Sequence, residues 1–167
     1  MLAYSFVLVV AEEGSWVKRK VIPILIILFG SFLVEYIGVN RGWLFGDYQY
    51  GTALGFKFGG VPIIIAFNWV MLCIAGRSFV NLVMKNNLAA SALAAVLITA
   101  FDFLLEPVAI RFGWWWWTGG EIPLFNYACW FGFAFLFQLM LYNPRVTFRG
   151  YWIILVQTIF FWVLLLM

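Results

Sequence analysis

Four almost wholly apolar stretches follow one another along this chain: Val21 to Val39, 60–84, 88–110 and Pro123 to Tyr142. A helix rises about 1.5 Å per residue, so about twenty residues cross a hydrocarbon core roughly 30 Å thick. Backbone groups in lipid must find their partners internally, and a helix supplies them within its own segment. A shorter apolar run, 151–167, makes a last crossing after the Asn143-Pro144-Arg145 break, and Lys85-Asn86-Asn87 forms the turn before the third. Residues 40–59 are rich in glycine and aromatic residues, which reads as turn chemistry and not as a span. The expected architecture is an all-α polytopic transmembrane helix bundle of about five crossings, with residues 1–167 forming a single integral-membrane domain.

The opening segment, MLAYSFVLVVA, precedes the basic cluster Lys18-Arg19-Lys20. As a helix its eleven residues cover about 16 Å, roughly half of the core. It reads as a short N-terminal apolar segment: the end of a longer helix, a re-entrant piece, or what remains of a span where N-terminal spans are missing. It has neither a basic n-region nor an A-x-A site, so a signal peptide is not indicated.

What the chain lacks narrows its chemistry. It has no histidine, which excludes His-based metal sites, Ser-His-Asp triads and the usual proton shuttles. Cys73 and Cys129 sit in apolar runs without CxxC spacing and read as small core hydrophobes. A net charge of +3 with no basic tail argues against a nucleic-acid partner. No metal site is expected, and acid-base work falls to carboxylates.

The carboxylates are concentrated. Residues 101–117 place Asp102 and Glu106 in an apolar run that ends in Trp114 to Trp117. Four-residue spacing stacks both acids on one helix face, and Pro107 removes the backbone donor that follows them. An acid inside a membrane costs about 2.5 to 3.5 kcal/mol even on the lenient insertion scale, so it is a functional candidate by default. The plainer alternative is pairing with Arg111 or capping of a kinked helix. Lys and Arg divide seven to three between alternate loops (Lys18, Arg19, Lys20, Arg77, Lys85, Arg145 and Arg149 against Arg41, Lys57 and Arg111). The first side is therefore cytoplasmic, in a protein placed in the plasma membrane. With that orientation Glu35, Asn68, Trp69, Asp102, Glu106 and Asn126 share the outer half of the membrane with the 40–59 loop and the tryptophan run.

An acid pair in an apolar, aromatic setting suits protonation of an alkene to a carbocation. Burial favours the neutral carboxyl, and ring faces stabilise a desolvated cation by about 2 kcal/mol. General acid catalysis supplies only about 10² to 10⁴-fold, so the lining must contribute as well. Against this stand two plainer readings. Trp114 to Trp117 with Tyr48 and Tyr50 form an interfacial aromatic belt, and that is the reading taken for most of these rings; on a helix at most one or two of the four tryptophans can face a pocket. Asn68 and Asn126 are either interhelical glue, worth about 0.6 kcal/mol, or water-holding groups.

The motifs Glu35-Tyr36-Ile37-Gly38, Gly42 to Tyr50, Gly60-Val61-Pro62 before Asn68-Trp69, Asp102 to Pro107, the Gly-Trp-x-Trp of Gly113 to Trp116, and Ile122 to Asn126 leading to Trp130 together resemble the integral-membrane carotenoid 1,2-hydratase family. The resemblance covers about residues 30–135. It implies a cofactor-independent hydro-lyase that adds water to the terminal double bond of a membrane-dissolved acyclic end group, as in lycopene or a monocyclic carotene, giving a tertiary alcohol. It also implies more spans ahead of these motifs. On that basis Asp102 or Glu106 is the general acid, Glu35 orients or deprotonates water, and Asn68 and Asn126 hold it. Trp69, Trp130 and Tyr48 face the cation, and Tyr50, Trp114 and Trp116 complete the substrate site. Rival readings are a carotenoid cyclase, a small transporter or proton relay, and a lipid-binding assembly subunit; homo-oligomerisation is left open.

Overall fold

Each apolar run becomes a helix. The computed structural model describes residues 20–141 and 151–167. Among them the order is α1 (Val21–Arg41), β1 (Tyr48–Tyr50), β2 (Lys57–Phe58), β3 (Val61–Pro62), α2 (Ile63–Val80), α3 (Asn87–Arg111), β4 (Trp115–Trp117), α4 (Leu124–Leu141) and α5 (Tyr151–Leu166). The first four helices are long and apolar enough to cross a membrane, and α5, with 16 residues, is shorter. The fold is a helical membrane bundle. The opening segment 1–11 and the 143–145 break lie outside the described residues.

Helix α2 is buried almost all round and forms the centre, as an evenly apolar helix does when other helices surround it. Helix α1 keeps Ile22, Phe29 and Leu33 exposed, the outward face expected toward lipid. Helix α3 packs most extensively on α4 and continues through Pro107 to Arg111. Its start is capped by Asn86, whose side chain accepts from the Ala89 N–H at 3.0 Å. Helix α1 ends on Gly42, whose left-handed backbone (φ 64°) turns its N–H back to the Gly38 carbonyl at 2.9 Å.

The 40–59 loop is not a span, and it folds as short strands. A β2–β3 hairpin pairs Lys57 with Pro62 and Phe58 with Val61 and leads into α2. Asn40 ties it to α1 by donating to the carbonyls of Tyr36 and Gly59. Strand β1 pairs antiparallel with the distant β4: Tyr48 opposite Trp117, Gln49 opposite Trp116, Tyr50 opposite Trp115. Four tryptophans on a helix are therefore replaced by a three-residue strand begun at Trp115.

At the other end of the bundle Arg77 corrects the loop count. It is fully buried within α2, not in a loop. Its guanidinium donates to Gln138 Oε1 at 2.9 Å, to Ser91 Oγ at 2.7 Å and to the Gln138 carbonyl, and Gln138 returns a bond to the Cys73 carbonyl at 2.8 Å. These contacts tie α2, α3 and α4 together, the only economical arrangement for a charge at that depth. Without Arg77 the loop asymmetry is six to three and keeps its direction. In a background lacking Cys73 and Cys129, a membrane-impermeant thiol reagent should label Thr52→Cys from outside the cell and Val83→Cys only after the membrane is opened. The reverse pattern would invert the assigned orientation.

Candidate active site

Helix α3 presents Asp102 and Glu106 one turn apart, 1% and 2% exposed, and α1 presents Glu35 at 2%. All three acids line one cavity of about 40 Å³, enough for a water molecule or two. Among the described residues no Lys or Arg lines it. What meets the acids instead is the β1–β4 ribbon. In a strand alternate side chains share a face, so Tyr48, Tyr50, Trp115 and Trp117 point inward while Gln49 and Trp116 point out. Cross-strand partners touch, with ring centres 5.1 Å apart for Tyr48 and Trp117 and 5.8 Å for Tyr50 and Trp115.

The ribbon divides its donors between two acids. Glu35 Oε2 accepts from the hydroxyls of Tyr48 (2.6 Å) and Tyr50 (2.9 Å), and Oε1 from Trp69 Nε1 (3.0 Å). Glu106 Oε2 accepts from Trp115 Nε1 and Trp117 Nε1, both at 2.9 Å, and Oε1 from Asn126 Nδ2 at 3.2 Å. Asp102 fares differently. Its Oδ2 shares the Asn126 donor at 3.1 Å, and its Oδ1 has no hydrogen-bond partner although it is buried. Asn68 Oδ1 is in the same condition, and both residues line the cavity. Burial, and then the neighbouring Glu35, push the Tyr48 and Tyr50 hydroxyls well above their ordinary pKa, so both remain donors across the physiological range.

One wall of the cavity is Trp130, stacked on the buried Trp69 at 4.0 Å between ring centres and 10° between planes. Trp69 thus supports Trp130 from behind and is absent from the lining itself. Phe45 closes part of the roof. It holds a left-handed backbone (φ 65°) rare for a bulky residue, and its N–H points to Cys129 Sγ at 3.4 Å. Asp47 is exposed, outside the lining. Arg111 does not reach the acids; it donates to the Leu164 carbonyl at 3.3 Å.

Of the residues singled out from sequence, Glu35, Tyr48, Tyr50, Asn68, Asp102, Glu106, Trp114, Asn126 and Trp130 meet at this cavity. Trp116 does not: strand alternation turns it outward, 47% exposed. The belt reading fails for Tyr48, Tyr50, Trp115 and Trp117, all buried; Trp115 and Trp117 line the cavity because their backbone is extended and not helical, and Trp114, in the bend before the strand, lines it as well. Trp115, Trp117, Phe45, Phe101 and Phe161 were missed. For the two tryptophans a signal existed in Tyr-Gln-Tyr, a period-two pattern ready to pair with a second aromatic strand.

A family model described as "Carotenoid biosynthesis protein" matches residues 1–166. The chain belongs to this family. A curated relative, bisanhydrobacterioruberin hydratase of Haloarcula japonica, is 28% identical over 123 residues, which cover 68% of this chain and 41% of that protein. The chain thus spans less than half the length of the relative it matches. No solved structure matches.

The carotenoid family member needs Gly38 at the ribbon. A Cβ there would lie 2.9 Å from the Tyr48 hydroxyl oxygen and 3.0 Å from Phe45 Cδ2. Gly38→Ala should displace Tyr48 from Glu35 and destabilise the fold by about 1 to 3 kcal/mol, the usual range for overpacking. Thermal unfolding in detergent should show a lowered midpoint for Gly38→Ala and none for Gly132→Ala, where a Cβ meets nothing within 4 Å.

Proposed function

We propose that the protein is a cofactor-independent carotenoid hydratase of the plasma membrane, adding water across the terminal 1,2 double bond of an acyclic end group. The unequal treatment of the three acids carries this reading. A carboxyl group whose two oxygens are both engaged by neighbouring donors is fixed in place, whereas one with a bare oxygen is free to act on a substrate. Glu35 and Glu106 each accept three, while Asp102 accepts one and turns a bare oxygen to the cavity. Asp102 is the proton donor.

Asp102 gives its proton to C2 of the alkene, the π pair forms the new C–H bond, and C1 becomes a tertiary cation. The carboxyl oxygens of Glu35 and Glu106, fixed by their donors, line the same cavity and turn their partial negative charge to where that positive charge develops, an arrangement that needs no reorganisation during the reaction. Trp130, backed by Trp69, offers its ring face. A water held by Asn68 Oδ1 attacks C1, and the proton it sheds returns to the Asp102 carboxylate. The balance is one alkene and one water to one tertiary alcohol, with the acid regenerated. Glu35 has both oxygens engaged, so its part is to orient the ribbon, not to accept the water's proton. The name of the curated relative, itself a hydratase, supports the same direction. The bare Asn68 oxygen favours water capture over cyclisation, which loses a proton from the same cation.

Membranes containing the protein, supplied with lycopene or a monocyclic carotene with one acyclic end, should yield a product heavier by one water. Asp102→Asn should insert at normal abundance and lose about 10²-fold or more of this activity, the contribution of a positioned acid. Full turnover by Asp102→Asn would remove Asp102 as the proton source. A product of unchanged mass would identify a cyclase instead.

A further inference from the structure

At about 40 Å³ the cavity holds water but not yet an end group, so a carotenoid can reach the acids only where a wall can part. Three sides are held by buried hydrogen bonds or close stacking. The ribbon is bonded to Glu35 and Glu106, Asn126 of α4 is bonded to both acids of α3, and Trp69 is bonded to Glu35 and stacked on Trp130. An apolar chain passing there would leave buried polar groups unpaired. The α5 side differs. It is closed by Phe161, in edge contact with Phe101 of α3 at 5.6 Å and with Trp114 at 6.0 Å, and ring contacts can part without orphaning a polar group.

Behind this pair α3 and α5 separate around a second cavity of about 180 Å³. Phe101 lines both cavities. On α3 the crevice continues along Leu97, Phe101 and Leu104, and on α5 along Ile154 and Thr158, the same stripe that carries Phe161 one turn on. Thr158 spends its hydroxyl on the Ile154 carbonyl at 2.7 Å, which leaves the wall apolar in effect. From Leu104 back to Leu97 the crevice follows α3 for about 10 Å, away from the ribbon and toward the opposite face of the membrane. Ala100 and Leu155 on its walls are exposed, so it opens to lipid. Another apolar groove, between α1 and α2 at Phe29, Phe32 and Phe67, shares no residue with the acid cavity.

We infer that the α3–α5 crevice holds the conjugated, rod-like chain of the substrate while its end group occupies the acid cavity, with Phe101 and Phe161 as the doorway between them. The inference rests on the hydratase reading for the identity of the chain. Its own content is the route. An apolar rod dissolved in the bilayer enters sideways between α3 and α5, and only its last carbons pass the ring pair.

The full-length protein in lipid nanodiscs, titrated with lycopene, tests this by the circular dichroism that a fixed chiral site induces in the polyene absorption band. The parent should give a saturable signal. Ala100→Phe and Thr158→Phe fill the crevice from opposite walls, and each should weaken binding by about tenfold or more. Val96→Phe, on the neighbouring α3–α4 surface, should leave it unchanged. Equal affinity in all four proteins, loss confined to Val96→Phe, or no saturable signal in the parent would overturn the route. Product mass from the same samples separates the two readings. Binding that follows the expected pattern without a hydrated product keeps the crevice and rejects hydration; undiminished hydration by both crevice variants rejects the crevice and keeps the enzyme.

Discussion

Three carboxyl groups buried together in an apolar bundle, with no cation among the described residues lining their cavity, are the constraint on which the rest of this structure depends. Each ionised acid at that depth costs several kcal/mol unless hydrogen bonds replace the water it has lost. Helices are poor suppliers of such bonds, because their backbone donors are already used. The donors here are therefore side chains that are apolar in bulk and polar at one point. Tyrosine and tryptophan combine these properties, and five of them meet Glu35 and Glu106. The aromatic richness of the chain and its buried acidity are two sides of one arrangement.

The ribbon is what gives the arrangement its accuracy. A strand pair places alternate side chains on one face at fixed spacing, so a single register, Tyr48 opposite Trp117 and Tyr50 opposite Trp115, delivers four donors at once. A slip by one residue would turn Gln49 and Trp116 inward and remove all four together. Close approaches by glycine secure the register. Gly51 donates its N–H to the Trp114 carbonyl at 2.7 Å, and a Cβ on Gly51 would fall 2.0 Å from the Gly113 carbonyl oxygen. The loop between α1 and α2 is thus part of the site as much as the helices are.

The helices were legible in the sequence because an apolar run of crossing length leaves the backbone little choice, and the depth of the acids followed from their place in those runs. Asp102 and Glu106 on one face followed from spacing alone. The ribbon was not legible, because its strands are three residues long and lie more than sixty positions apart, so neither carries a local signal strong enough to name its partner. The Gly-Trp-x-Trp of Gly113 to Trp116 then put Trp116 in the site, and helical geometry, which allows at most one or two of the four tryptophans a pocket, gave no reason to add Trp115 and Trp117. Arg77 was misplaced for a related reason: charge in an apolar protein reads as a loop until its partners Ser91 and Gln138, on two other helices, are known.

The distribution of donors among the acids also explains why a pocket so well furnished leaves two oxygens bare. Glu35 and Glu106 take every inward-facing donor of the ribbon, and Asn126 divides its amide between Glu106 and Asp102. Had the site been built only to hold three charges, one more donor at Asp102 Oδ1 would have been the simplest gain in stability, since an unpartnered buried polar atom costs about 1 to 3 kcal/mol. Natural proteins keep such costs where chemistry needs the free valence, because a carboxyl fully bonded to its neighbours cannot hand a proton to carbon. The bare oxygens of Asp102 and Asn68 belong to residues on adjoining helices that line one cavity, and in the hydration we propose they are where a proton and a water meet the same atom pair of a substrate.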